Sequence, residues 1–156
     1  MCLHRKDFGS LLLVVVTSTI AWPQEIVEYG RECAVKIAPI PAFDCREGVL
    51  VPITFNDRVP QSYPRHMTCD RPALLTYEAT GADGQCVPYS RALVLRDDDR
   101  AQIAVACRQK KIRPADTVPY DDIDIIAHSV VTGSTCWFQA VAPEPLASDQ
   151  GFDSDH

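Results

Sequence analysis

The sequence predicts a mostly β protein with little helix, folded as a small disulfide-stapled antiparallel β-sandwich or meander. Three observations carry this prediction. Twelve prolines against seven glycines disfavour long helices, because each interior proline removes a backbone donor and clashes with the preceding turn. Short apolar runs with a period of two recur from Glu47 to Val141. Cys33, Cys45, Cys69, Cys86, Cys107 and Cys136 form an even set beyond the first residues, which reads as three disulfides in an exported chain.

The first residues carry His4, Arg5 and Lys6 against one acid, Asp7, and lead into the apolar run Leu11 to Val16. Small residues follow at Thr19 and Ala21. This pattern predicts a secretory signal peptide over 1–21, cleaved after Ala21. The apolar run is well short of the roughly 20 residues that span a bilayer, so no membrane span is expected once the signal is removed. Residues 22–142 then form the disulfide-bonded β domain, and 143–156 a flexible acidic tail with too little apolar content to order itself. Export implies a periplasmic or extracellular location.

The chain has a formal net charge of −6, and its one basic cluster, Arg108 to Arg113, reads as a solvated loop. A surface for nucleic acid has no basic patch to rest on. Asn56, the only asparagine, precedes Asp57 and Arg58, so there is no N-glycosylation sequon.

Within the domain, Ile26 to Tyr29 and Cys33 to Ile37 suggest short strands that end before Pro39 and Pro41. Glu47 to Phe55 alternates Val49, Val51, Ile53 and Phe55 on one face, and Pro52 within it marks an edge strand. Residues 56–67 read as a loop. Asp70 is placed to cap a short helical turn with Leu74 and Leu75 inward and Gly81 at its end, followed by a turn over 81–84. Arg91 to Arg96 and Ala101 to Cys107 are strands joined by Asp97, Asp98, Asp99 and Arg100. Leu93, Leu95, Ile103 and Val105 share one face, and Ala92, Val94, Ala104 and Ala106 make the other apolar too, which predicts a central pair in its sheet. Asp122 to Val131 and Ser134 to Val141 form a last hairpin; a two-residue loop at Thr132 and Gly133 pairs Ala127 with Phe138 and Ile125 with Ala140. That register gathers Ile123, Ile125, Ala127, Val131, Cys136, Phe138 and Ala140 on one face and sets His128 opposite Trp137 on the other.

Six cysteines allow fifteen pairings, between which sequence does not choose. Nearest-neighbour pairing joins Cys33 to Cys45, Cys69 to Cys86 and Cys107 to Cys136, and its last bridge requires the strands at 101–107 and 135–141 to run antiparallel or to face one another across a sandwich.

Catalytic readings find little support. No Cys-x-x-Cys occurs, the glycines form no phosphate loop, and the three successive aspartates lack the spaced oxygens of a calcium loop. His66 and His128 are the available imidazoles of the domain, and neither is tied to a nucleophile; Ser90 and Ser134 fit turn and strand-end roles. His66 beside Met67 cannot supply both axial positions of one haem, and a loop histidine is the plainer reading. The expectation is a protein with no catalytic constellation, no cofactor and no metal. The binding constellation to name is His128 with Trp137, a stacking surface if Trp137 is exposed; the patterning favours a tryptophan covered by a second sheet.

Four blocks, Cys69-Asp-Arg-Pro-Ala-Leu-Leu75, Gly84-Gln-Cys-Val-Pro-Tyr-Ser-Arg91, Cys107-Arg-Gln-Lys-Lys-Ile-Arg113 and Thr135-Cys-Trp-Phe-Gln-Ala140, together resemble the N-terminal cysteine-bearing region of a family of uncharacterised exported bacterial proteins. In longer members of that family a c-type haem segment with Cys-x-x-Cys-His follows. This chain has no such motif, so no haem ligand carries over to it. The resemblance implies an exported accessory domain. Two readings of function follow: a non-catalytic exported binding or interaction domain for a protein or small ligand, or an accessory domain of an extracytoplasmic c-type-haem electron-transfer protein or complex.

Overall fold

The computed structural model describes residues 22–71, 82–115 and 119–143. The predicted signal peptide, the segment that follows Asp70 through Gly81 and the acidic tail lie outside the described residues, apart from Asp70, Arg71 and Pro143. One five-stranded antiparallel meander forms the fold: β1 (Val49–Leu50), β2 (Arg91–Asp97), β3 (Ala101–Arg108), β4 (Asp122–Ser129) and β5 (Thr135–Val141) lie side by side in chain order. Helix α1 (Trp22–Lys36) and the segment that follows it cover one face. Of the two architectures the sequence allows, the meander is the one adopted, and no second sheet covers it among the described residues.

The inner face is built as the period-two pattern predicts. Leu93 lies opposite Val105, Ile103 opposite Ala127, and Cys107 opposite Ile123. Cys33 and Ala38 pack on Ala101, Ile103, Ala127 and Cys136 in one cluster, and Cys45 on Leu93, Val105, Cys107, Tyr120 and Ile123 in the other. Register slips between Val94 and Arg96, a bulge at Leu95, which packs partly buried against both clusters. Gly48 sits where the incoming chain crosses β2; a Cβ there would lie 2.8 Å from Leu93 Cδ1 and 3.0 Å from the Ala92 carbonyl.

The outer face departs from expectation. Its central strands were expected to be buried on both sides, yet Val94 is 72% exposed and Ala92 and Ala104 are also exposed. The pair is internal to the sheet, but apolar residues on both faces imply a second covering layer that the described residues do not supply.

Residues 22–36 form a helix rather than two short strands. Pro23 is tolerated in the first turn, Glu25 faces the positive helix start, and Lys36 lies in the last turn, 2.5 Å from Glu32 one turn earlier. The predicted edge strand at 47–55 shortens to Val49–Leu50 because Pro52 lacks the ladder donor. It is the sheet edge, as Pro52 indicates; Ile53 is buried beyond it. The helical turn that Asp70 was expected to cap lies outside the described residues. The Asp70 carboxylate accepts the amides of Asn56 and Asp57 at 2.9 Å each and so braces the turn at 55–58.

The β4–β5 register differs from the predicted one by two residues: Ala127 pairs with Cys136 and Ile125 with Phe138. A two-residue type I′ loop needs positive φ at both Thr132 and Gly133, which a β-branched residue resists. The chain instead takes a four-residue loop, Val130 to Gly133, with Gly133 alone in it at φ +73°. A shift of two keeps the side chains of β4 and β5 on their predicted faces, but Val131, expected on the inner face, falls in the loop and is 72% exposed.

The bridges join Cys33 to Cys136, Cys45 to Cys107 and Cys69 to Cys86, with Cα separations of 6.1, 6.0 and 6.0 Å. Only the last matches nearest-neighbour pairing. The expected Cys107–Cys136 bridge fails because β3 and β5, both antiparallel to β4, are parallel to each other. Cys107 is level with Ile123 and Cys136 with Ala127, four residues or about 13 Å apart along β4. Three disulfides fit an oxidising compartment.

The basic cluster is not a solvated loop. Arg113 is buried and pairs with buried Asp121 through two 2.7 Å hydrogen bonds; Arg108 binds Asp122 and Asp124, Lys110 binds Asp122, and Lys111 binds Asp83. Burial raises the Asp83 carboxyl, but the Ile112 amide, Lys111 and Arg65 outweigh it and hold the pKa below the ordinary value. These pairs fasten residues 108–113 to the β4 start and to the segment at 82–90.

Two measurements test this frame. Replacing Cys33 and Cys136 by alanine should lower unfolding free energy by about 4–5 kcal/mol and replacing Cys69 and Cys86 by about 3 kcal/mol, since the first bridge closes a loop of 103 residues and the second one of 17; denaturant titration of the two double variants reads the order. At the β2–β3 turn, the Ala101 amide, Arg96 and the Arg100 amide lower the Asp98 pKa to about 2. A depressed carboxylate stabilises the fold above its unfolded value near 4 and loses that contribution as pH falls through 2. Unfolding of Asp98→Asn should therefore depend less on pH between 4 and 2 than wild type.

Candidate functional site

The inner face of β5 is only partly filled. Cys136 ties it to Cys33 of α1, and the Tyr29 ring packs on Phe138 with centroids 5.2 Å apart. Beyond these contacts a cavity of about 690 Å³ opens between α1, the segment at 40–43 and β5. Ile26 and Tyr29 wall it on the helix side, Ile40 to Phe43 on the loop side, and Ile123, Ile125, Phe138 and Ala140 form its floor; among the described residues, none that lines it is charged. Helix α1 stands over this space because Pro39 and Pro41 hold the following chain extended, so 40–43 runs as the opposite wall.

The cavity reaches the strand edge, where Trp137 and Gln139 border it. β5 is the last strand of the sheet. Ser134 and Ala142 hydrogen-bond toward β4, as shown by the bonds from the Ser129 amide to the Ser134 carbonyl and from the Ala142 amide to the Asp121 carbonyl. Even-numbered residues of β5 therefore face β4, and the amides and carbonyls of Thr135, Trp137, Gln139 and Val141 point away from the sheet. Among these, the Trp137 amide donates to the Tyr29 hydroxyl at 3.1 Å.

The sequence singled out His128 and Trp137. Both lie on the outer face, but the two-residue shift separates them: His128 is opposite Thr135, with its Nδ1 2.8 Å from the Thr135 hydroxyl, and Trp137 is opposite Ile126. Trp137 is not covered by a second sheet; it is 64% exposed. Ile126 and Val141 are exposed with it, so an exposed apolar patch stands where a covered tryptophan was expected.

The other candidates have structural partners. The Ser90 hydroxyl accepts the Gln109 amide, the Ser134 hydroxyl accepts from Thr132, and the His66 amide donates to the Asp83 carbonyl. All six cysteines are bridged. Sequence reasoning missed the groove because it missed its helical wall. Ile26, Tyr29 and Cys33 are spaced three and four apart, which is the signal that would have found it.

No protein-family model, curated protein or solved structure matches this chain.

Among the described residues, Tyr29 is the partner of an outward amide of β5, that of Trp137. Tyr29→Phe should speed hydrogen exchange at the Trp137 amide and lower stability by about 1 kcal/mol, with the three bridges intact; exchange monitored by NMR reads the first and denaturant titration the second.

Proposed function

We propose that this protein is an exported, non-catalytic binding domain, released by cleavage of the 1–21 signal peptide into the periplasm or extracellular space, and that it holds an exported protein or a small apolar ligand at β5. The observation that carries this reading is the uncharged cavity of about 690 Å³ that opens onto an edge strand. Pockets that bind ligands are concave and mostly apolar, with few polar groups to orient what enters. Here the outward backbone of β5 supplies the orienting groups. Exposed Trp137 extends the apolar surface around the edge to the outer face, and His128 lies beside it as a polar margin. Three disulfides support export, and the apolar run at Leu11 to Val16 supplies the address.

The test uses the exported protein, expected to begin at Trp22, on arrays of glycans, lipids and peptides. Ile40→Asp puts a charge in the cavity wall, and Trp137→Ala removes the exposed ring. A ligand found on the arrays should bind at least tenfold more weakly to one or both variants. Ligands that bind both as tightly as wild type would move the site elsewhere.

A further inference from the structure

The two edges of the sheet are treated differently. β1 is two residues long and is followed by Pro52, which is how natural sheets protect an edge from unwanted pairing. β5 is seven residues long, pairs in unbroken register, and contains no charge and no proline in Thr135-Cys-Trp-Phe-Gln-Ala-Val141. Nothing in its own sequence guards it. The groove runs along this unguarded edge and has the same uncharged lining on its floor.

We infer that β5 receives an extended segment of another polypeptide as a sixth strand, with alternate apolar side chains of that segment entering the groove between α1 and 40–43. This rests on the binding reading above and names its occupant. A chain in extended conformation is the one partner that satisfies outward amides and carbonyls spaced along a strand and fills an apolar groove beside them. Its opposite side chains meet Trp137 and Val141 on the outer face. The Tyr29 hydroxyl already occupies the position of an incoming carbonyl at the Trp137 amide, so this edge accepts a hydrogen-bonding partner from outside the sheet. The segment is free of charge at the inward positions, since the groove has no group to neutralise one.

A second copy of this chain fits less well. Two β5 strands pairing about a two-fold axis keep both inner faces on the same side of the joined sheet. Each copy would bring its own α1, bonded to β5 through Cys33 and Cys136, into the region where the groove lies.

A phage-displayed random dodecapeptide library, selected on the immobilised full exported protein, tests the proposal. Selected peptides should show apolar residues at alternate positions. Gln139→Pro removes one outward amide and leaves the backbone bonds to β4 in place; it loses the Gln139 side-chain bond to Asp122, as Gln139→Ala also does. It should weaken a selected peptide at least tenfold, while Gln139→Ala, which keeps that amide, should bind it within twofold of wild type. If Gln139→Pro does not fold, the peptide decides: N-methylation of one alternate set of its amides should abolish binding and of the other set should leave it. Equal binding to wild type and Gln139→Pro, or equal effects of the two methylation sets, would overturn strand addition. So would a library that yields no specific peptide, or a dimer in sedimentation that Gln139→Pro dissociates. In each of those cases the binding reading stands or falls separately, on the glycan and lipid arrays with Ile40→Asp.

Discussion

The bond between Cys33 and Cys136 fixes the helix against the outermost strand, and the shape of the groove follows from it. α1 has little else to hold it: Ile26, Val27 and Val35 are largely exposed, and Cys33 is its buried apolar residue. An amphipathic helix is normally secured by an apolar stripe. Here a single covalent tie, the Tyr29–Phe138 contact and one hydrogen bond to the Trp137 amide replace most of that stripe. The apolar area left over on the helix and on the β5 floor is what lines the groove. A helix packed more fully on the sheet would have closed it.

The rest of the frame is held by charge as well as by burial. Asp121 and Arg113 are both withdrawn from water, a costly arrangement that is repaid by two hydrogen bonds between them and a third from the Lys110 amide at 2.6 Å. Asp83, Asp122 and Asp124 engage the remaining cations of 108–113. These pairs anchor the C-terminal end of β3 and the start of β4, at the end of the sheet where Cys107 is bonded to Cys45. Of the two strands that form the groove floor, β4 begins and β5 ends at this anchored end.

The parts of this structure legible in the sequence are those set by local patterning. Alternation placed Leu93, Ile103, Val105, Ile125 and Phe138 on one face, and Pro52 marked the edge at β1. What was not legible depends on partners distant in the chain. The register of the last hairpin turned on the reluctance of Thr132 to take positive φ. The pairing of Cys107 turned on the parallel relation of β3 and β5, which no local pattern expresses. Arg113 reads as a surface cation until Asp121 is known to face it. α1 was hidden because its apolar residues are spaced for a helix yet mostly exposed, and the exposure of Trp137 was hidden because apolar patterning on both faces of a strand normally signals two covering layers.

The order of the bridges along the chain has a consequence for how the protein reaches this state. A chain that enters an oxidising compartment from its N-terminus presents Cys33 and Cys45 first, long before Cys107 and Cys136. Closing the short loop between them costs about 2 kcal/mol less chain entropy than closing the loop of 103 residues to Cys136. If that pair closes first, the native set is reached by thiolate attack on the bridge and exchange of partners, and the groove takes shape only with the Cys33–Cys136 bond to the last strand.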